Sequence, residues 1–559
     1  MERLTATAIL LCLSLPLPAE LPPVPVPPEN PITEEKRVLG KILFWDEQLS
    51  SNSTVACGSC HIPSAGGADP RQATNPGPDR LFGTDDDVTG SPGTASLDEN
   101  GQAVEDAIFG YDLQVTGRAA PGIFISMYSD QNFWDGRADS QFVDPQDGVT
   151  VIIQTGGGLE SQAVGPILSS VEMGHQNRNW DQVINKLEDS PPLRFASDLP
   201  VDIAEAIESN PNYPALFATA FGDEQITAAR IGMAIATYER TLVPDQSPWD
   251  LYEAGDETAM TPSQISGWED FRDRTVCDNC HQPPEFTDHE FYNIGLRPSI
   301  EDIGREAVTG NADDTGRFKT PTLRNSGLKP SLMHVGWINS VRDAIDFYNA
   351  PADADNGIPN RHNQFTEDQT GIPVANGGRP VEYDTLSMFS QSEVRKNQVA
   401  DFIANALTDP RVAAEEFPFD RPTLRSELVS AALASGAMTG AWYDPSRVGE
   451  GWLIEVLAGS LALVTWYSYD QQGNQMWLIG VGEISGSTIR IDEMQVTHGP
   501  VFGMDFNPDD VILESWGSLE IEFIDCNSAT ATYQSITGFG SGTLNASRLT
   551  NLSGLECAS

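Results

Sequence analysis

The chain has 559 residues, and its 81 acidic against 32 basic side chains give a formal net charge of −49. Because nucleic acids and anionic membranes carry the same sign of charge, this surface disfavours both as partners and favours solubility. The length predicts two to four domains. Beyond the N-terminal segment, no stretch reaches the roughly 18 consecutive apolar residues of a membrane helix, so we predict no membrane span.

Residues 1–19 resemble a short secretory signal peptide, in which a basic residue precedes an apolar run and a small residue stands at the cleavage site. Residues 20–31 are rich in proline, which predicts an extended linker. We therefore expect an exported, periplasmic protein. In that oxidising compartment Cys526 and Cys557 can form a disulfide.

Two pentapeptides, one starting at Cys57 and one at Cys277, have the pattern Cys-x-x-Cys-His. This pattern encodes covalent attachment of c-type haem, in which two thioethers hold the porphyrin and the histidine ligates the iron. A thioredoxin-like dithiol or half of a zinc site does not explain a histidine directly after both pairs. We therefore predict two covalently bound haem c groups, held by Cys57, Cys60, His61, Cys277, Cys280 and His281.

Apolar residues recur with helical spacing over 38–43, 231–242, 262–271 and 399–407. The first and third of these segments lie just before the two haem motifs. We therefore predict a mainly α fold in this part of the chain, with two c-type cytochrome domains over 32–250 and 251–424.

The pattern changes at residues 425–559, where short aromatic and β-branched runs are separated by glycine. Such runs predict strands, so we expect a smaller all-β accessory domain at the C-terminal end. Its tryptophans are expected to be core residues, since a buried indole contributes a large apolar surface. They are Trp442, Trp452, Trp466, Trp477 and Trp516.

Several further motifs occur in a fixed order around the haem pentapeptides. They are Leu39 to Asp46, Phe133 to Arg137, Leu159 to Gln162, Pro166, Glu172 with Met173, and Phe318 to Asn325. This ordered set resembles the di-haem cytochrome c peroxidase and MauG family over residues 32–415. The resemblance implies that hydrogen peroxide reacts at the N-terminal haem, that the C-terminal haem transfers or stores electrons, and that Trp134 lies between the two.

The same resemblance assigns a pocket on the peroxide side of the first haem. Glu172 matches the general acid and base that moves a proton between the two peroxide oxygens. Gln162 is expected to position peroxide by hydrogen bonding, and Pro166 to shape the cavity.

Ordinary bacterial members of the family carry a histidine in the loop after the first motif, but here no histidine occurs between His61 and His175. We therefore expect an open first iron with His61 as its ligand, and His175 as an alternative sixth ligand.

For the second haem, the family segment places Tyr348 where typical peroxidases have methionine and MauG-like enzymes have tyrosine. A phenolate oxygen favours higher oxidation states, whereas a thioether favours ferrous iron. We therefore predict His281 and Tyr348 as the ligands, with Met333 as the competing candidate. Three other histidines are expected to be surface or supporting groups, namely His289, His334 and His362.

Calcium is a further candidate cofactor at two places. The family's inter-haem calcium uses an asparagine, but the matching position here is Ala119, which weakens that site; backbone carbonyls near Lys329 and Ser331 could still contribute. The acidic loop over 75–87 offers hard oxygen ligands, and a solvated loop explains it equally well.

Three functions are compatible with these features. The favoured one is a MauG-like enzyme that uses hydrogen peroxide to oxidise aromatic residues on a protein partner. The first alternative is a cytochrome c peroxidase that reduces hydrogen peroxide with electrons from a small redox protein. The second is an electron carrier without catalysis, against which the acidic Glu172 beside an open iron argues.

Overall fold

The computed structural model describes residues 20–79, 86–99, 101–102, 104–110, 113–296, 301–349, 374–375, 379–380, 392–430, 436–447, 449–457, 461–485, 487–499, 506–523 and 527–550. The predicted signal peptide, most of the acidic segment 80–87, His362, Cys526 and Cys557 lie outside these residues. The chain divides into two compact units between Pro422 and Thr423. Within the described residues, no helix is long and apolar enough to cross a membrane.

The first unit contains both haem motifs and includes a series of helices. These are α1 (Glu34–Trp45), α2 (Cys57–Cys60), α3 (Gly158–Ala163), α4 (Gly165–Leu168), α5 (Trp180–Glu188), α6 (Val201–Ser209), α7 (Tyr213–Phe221), α8 (Ala228–Glu239), α9 (Pro248–Glu253), α10 (Pro262–Asp273), α11 (Glu306–Thr309), α12 (Val341–Asn349), α13 (Glu393–Asp401) and α14 (Pro410–Ala413). A π-helical turn, Phe402–Ala406, continues α13.

Short strands pair antiparallel in the loops of this unit. The pairs are β1 (Ala73–Asn75) with β2 (Val88–Gly90), β3 (Pro92–Ala95) with β4 (Leu113–Val115), β5 (Phe142–Val143) with β6 (Val151–Ile153), β7 (Phe291–Tyr292) with β8 (Phe318–Lys319), and β9 (Val374–Ala375) with β10 (Arg379–Pro380).

Each haem motif follows a helix that crosses a partner helix at a glycine. Helix α1 packs on α8 at Gly40, where a Cβ would lie 1.9 Å from the Ala234 carbonyl oxygen. Helix α10 packs on α13 at Gly267, where a Cβ would lie 2.1 Å from the Gln398 carbonyl oxygen. Both approaches are too close for any side chain, so glycine fixes the same kind of crossing before both motifs.

A loop conformation is repeated within the first unit, at residues 121–140 and 321–340. Both loops contain a 3-10 turn after a residue with positive φ, and both close with a single antiparallel bridge. The equivalent positive-φ residues are Ile125 and Asn325, Phe133 and Met333, and Gly136 and Gly336. Trp134 and His334 therefore occupy equivalent places in the two loops.

The second unit begins with a short helix, α15 (Arg425–Ser430), and continues as a closed antiparallel barrel in which each strand pairs with the next. Its strands are β11 (Gly440–Tyr443), β12 (Gly451–Leu457), β13 (Leu461–Tyr469), β14 (Gln475–Ser485), β15 (Thr488–His498), β16 (Ile512–Phe523), β17 (Ser528–Ser535) and β18 (Ser541–Arg548). Pairing of β11 with β18 closes the barrel. The prediction of strands in this region is confirmed, although closure was not foreseen.

Four of the five barrel tryptophans belong to its core, but the expectation for Trp477 was wrong. Trp442, Trp452 and Trp466 are paired across adjacent strands and lie in the buried core with Trp516. Trp477 is 44% exposed, whereas its neighbour Leu478 is fully buried. Because successive residues of a strand face opposite sides, the inward position of Leu478 sends Trp477 outward.

Candidate haem sites

The first haem motif is a single helical turn, α2, which directs both cysteines and the following histidine towards one cavity. Its second residue is Gly58, where a Cβ would lie 2.1 Å from the Trp45 ring. Only glycine therefore lets α2 approach α1 this closely. The second motif has Asp278 at the matching position and forms a 3-10 turn, Cys277–Asn279. None of the four motif cysteines is in a disulfide, so their sulfurs remain for thioether bonds to haem.

Both motif histidines are held in the same orientation. The Nδ1 atom of His61 lies 3.0 Å from the Gly67 carbonyl oxygen, and that of His281 lies 3.1 Å from the Phe286 carbonyl oxygen. Donation from Nδ1 to a carbonyl leaves the Nε2 lone pair for a metal. Burial lowers the pKa of both imidazoles, which favours the neutral form. Two thiols and a neutral imidazole at each motif fit the attachment of haem c.

The first haem cavity measures about 580 Å³, within the range of cofactor and ligand sites of about 300–1,000 Å³. His61 is the one histidine that lines it among the described residues, and His175 instead lies buried with Nδ1 2.7 Å from the Gln176 carbonyl oxygen. Met173 also lines the cavity. The structure gathers here the residues predicted for peroxide chemistry, namely Trp134, Gln162, Pro166 and Glu172.

Glu172 follows α4, is half-buried and lines the first cavity. Burial raises the pKa of its carboxyl, while a hydrogen bond with Ser169 and the positive charge of Arg137 act in the opposite direction. A carboxyl whose pKa is raised by burial keeps its proton to a higher pH than an exposed carboxyl does. This is the property that a general acid and base in a buried cavity requires.

The second haem cavity is smaller, about 210 Å³, and contains Cys277, Cys280 and His281 in its wall. Tyr348 on α12 and Met333 on the repeated loop both line it. The structure therefore brings both predicted ligand candidates to the second motif. Glu172, Gln162 and Pro166 do not line this cavity.

Trp134 lines both haem cavities. Its indole Nε1 donates to the Ala119 carbonyl oxygen at 2.8 Å, which fixes the ring. The ring centroid lies 6.2 Å from that of His334, and His334 stacks on Phe318 at 3.6 Å. Sequence reasoning missed this aromatic contact between equivalent loop positions; comparing residues 121–140 with 321–340 for a repeat would have suggested it.

The residues at the expected calcium position make other contacts. The Ala119 carbonyl accepts from Trp134, and the Ala119 N–H donates to the His334 carbonyl oxygen at 2.9 Å. The neighbouring Arg118 forms ion pairs with Asp135 and Asp302. Within the described part of the chain, no group of three or more His, Cys, Asp and Glu side chains is placed to hold a metal ion.

Comparison with known proteins identifies the family. The profile of the di-haem cytochrome c peroxidase family matches residues 34–258. The methylamine utilization protein MauG of Methylorubrum extorquens is 31% identical over 328 residues, which cover 58% of this chain and 71% of MauG. The chain belongs to the di-haem cytochrome c peroxidase family. The resemblance predicted from the ordered motifs is thereby confirmed, and the protein is an enzyme of a haem-dependent oxidoreductase family.

Proteins named cytochrome c peroxidase are also similar to this chain, as are proteins named MauG. The cytochrome c peroxidase Ccp of Escherichia coli is 29% identical over 331 residues, covering 58% of this chain and 55% of that protein. A crystal structure of a MauG-like protein associated with microbial copper homeostasis is 23% identical with a TM-score of 0.48, covering 72% of this chain and 97% of that one. The family implies two c-type haems and peroxide-related redox chemistry.

Proposed function

We propose that this family member is an exported enzyme in which hydrogen peroxide reacts at the first haem and the second haem stores an oxidising equivalent. The observation that carries this proposal is the difference between the two haem cavities. The larger cavity combines His61 with Gln162 and Glu172, whereas the smaller one combines His281 with Tyr348. Residues 32–250 and 251–424 act as the two haem lobes, and residues 425–559 as an accessory domain.

The side chains of the first cavity handle the protons of peroxide. The Gln162 amide donates a hydrogen bond to peroxide, and the ring of Pro166 keeps the space beside it apolar. Glu172 takes a proton from one peroxide oxygen and returns it to the other, which departs as water. The haem, once attached, supplies the electrons for breaking the O–O bond.

Trp134 is proposed as the conduit between the haems because it lines both cavities. Tyr348 is proposed as the sixth ligand of the second haem, since a phenolate favours oxidised iron. Stored oxidising power of this kind suits MauG-like oxidation of aromatic side chains on a protein partner.

The alternative function is reduction of peroxide with electrons from a small redox protein. The position of Met333 in the wall of the second cavity favours it, because a thioether ligand stabilises ferrous iron and suits uptake of electrons.

One experiment separates the two functions. The holoprotein is mixed with hydrogen peroxide in the presence of either a reduced small cytochrome or a tryptophan-containing protein partner. Rapid oxidation of the cytochrome with no covalent change in the partner, measured by intact mass, supports the peroxidase alternative. New oxygen or lost hydrogen in the partner, with slow cytochrome oxidation, supports the MauG-like function.

A further inference from the structure

A second, narrower cavity of about 70 Å³ adjoins the first haem cavity. We call it the inter-motif cavity, because its wall includes His61 as well as residues near the second motif. Both cavities share Glu239, the last residue of α8, whereas Glu172 lines only the first. Glu239 thus lies where the two cavities meet.

Glu239 is an unusual group for this place. Its side chain is almost fully buried, with 4% of the residue exposed, and its Oε2 atom has no hydrogen-bond partner. A buried oxygen without a partner is costly, and in native proteins such atoms mark bound water or a functional site. An ion pair does not account for the burial of Glu239, because the neighbouring Arg240 pairs with Glu160.

A second observation in the same cavity is independent of Glu239. The Nδ2 atom of Asn132 is also buried without a hydrogen-bond partner, and Asn132 lines the inter-motif cavity. An amide donor and a carboxyl oxygen, facing one cavity with the amine-bearing side chains of Lys319 and Lys329, provide the polar partners that ordered water needs. The cavity therefore has the chemistry of a small water site.

The inter-motif cavity also has a contact with solvent. Among its lining residues is His289, whose Nε2 atom lies 2.6 Å from Oε2 of Glu285. The two side chains are 24% and 18% exposed. An imidazole can act as a proton shuttle, so this partly exposed pair suits proton uptake from solvent.

We propose that Glu239 is a proton-relay residue that passes protons from the His289 and Glu285 pair, through water in the inter-motif cavity, into the first haem cavity. The relay rests on the proposed function. Reduction of one hydrogen peroxide to two waters consumes two electrons and two protons. Glu172 only moves a proton between the two oxygens, so the protons consumed overall come from outside the cavity.

The charges around Glu239 are consistent with this role. Burial and the negative charge of Glu160 raise the pKa of Glu239, the positive charge of Arg240 lowers it, and the resulting pKa is about 8. Cys57 on α2 senses the charge of Glu239 as a thiol, and it has no titratable group once it is attached to haem. Glu239 therefore carries a proton at neutral pH and can release it to the cavity.

The first test compares Glu239→Gln with the matched control Glu47→Gln, since Glu47 is equally buried but lines neither cavity. The ferric holoprotein is first oxidised with an equivalent amount of hydrogen peroxide and is then mixed rapidly with ascorbate as reductant in H₂O and in D₂O. The protons are consumed in this reduction, so we expect Glu239→Gln to slow the absorbance change back to the ferric form by about tenfold or more and to increase its solvent isotope effect. Difference infrared spectra should lose a protonated carboxyl band in Glu239→Gln and retain it in Glu47→Gln.

A second variant acts at the solvent end. His289 has a φ of 60°, which asparagine tolerates, so His289→Asn preserves the backbone. We expect it to slow the same absorbance change. If Glu239→Gln shows the rate and the isotope effect of the wild type, the relay is overturned. If that variant fails to fold, a wild-type rate in His289→Asn overturns the relay instead. In either case the proposed function still holds as long as the wild-type protein reacts with peroxide.

Discussion

Each haem motif follows a helix crossing at a glycine, and each haem cavity is bordered by one copy of the repeated loop. The volumes of the two cavities nevertheless differ, at about 580 Å³ for the first and 210 Å³ for the second. At equivalent loop positions the first has Phe133 and Trp134, and the second has Met333 and His334. The first adds an acid, Glu172, and the second adds Tyr348. One repeated backbone arrangement can therefore hold two haems, while the side chains that differ between the two copies give the haems different chemistry.

The largest expected effect comes from removing each haem in turn. We expect Cys57→Ala with Cys60→Ala to remove one covalent haem and abolish the reaction with peroxide. Cys277→Ala with Cys280→Ala should also remove one haem but keep peroxide reactive at the first. Intact mass and stopped-flow absorbance measure both outcomes. Equal loss of the peroxide reaction in both double variants would show that the two cavities do not differ as we describe.

Glu172→Gln is expected to slow the reaction with peroxide by about 10²- to 10⁴-fold, the range for loss of a general acid and base. The wild-type rate should fall as the pH is lowered through the raised pKa of Glu172, because the protonated carboxyl cannot accept the peroxide proton. The variant should lack this dependence. Rapid-mixing rates across pH check both points, and an unchanged profile in Glu172→Gln contradicts the role.

Two variants distinguish Tyr348 from Met333 as the ligand of the second haem. We expect Tyr348→Met to raise the reduction potential of one haem by an amount on the order of 0.1 V, since a thioether stabilises ferrous iron. Met333→Leu should leave that potential unchanged. Spectroelectrochemical titration measures both variants. A potential that falls in Met333→Leu and does not move in Tyr348→Met identifies the methionine as the ligand.

The smallest expected effect is a loss of folding stability from substitutions within the two haem motifs. A Cβ at Gly58 would lie 2.1 Å from the Trp45 ring, so Gly58→Ala should destabilise the holoprotein by about 1–3 kcal/mol, as overpacking does. Asp278→Ala, at the matching position of the second motif, should cost less because its side chain is not buried. Denaturant unfolding of both variants tests this difference.

Short sequence motifs and residue types predicted those features that depend only on residues close together in the chain. The haem pentapeptides follow from a short motif, and the core positions of Trp442, Trp452 and Trp466 follow from the large apolar surface of an indole. Barrel closure could not be predicted, because it depends on pairing Trp442 with Arg548 across the whole domain. Trp477 was misassigned because composition was used without the strand's two-residue period.

Within the candidate site, the family resemblance supplied Gln162, Pro166 and Glu172, which the structure then places in one cavity. Glu239 was not predicted, since its burial depends on the packing of α8 against α1 rather than on its neighbours in sequence. The repeated loop was also missed, because its two copies share backbone conformation and a few small residues but differ at most side chains.

The most direct test of the difference between the cavities is peroxide titration of the ferric holoprotein, followed by absorption and electron paramagnetic resonance spectroscopy. We predict one high-spin and one low-spin haem before peroxide, and oxidation that involves both haems after it. Two low-spin haems that do not react with peroxide would contradict the account.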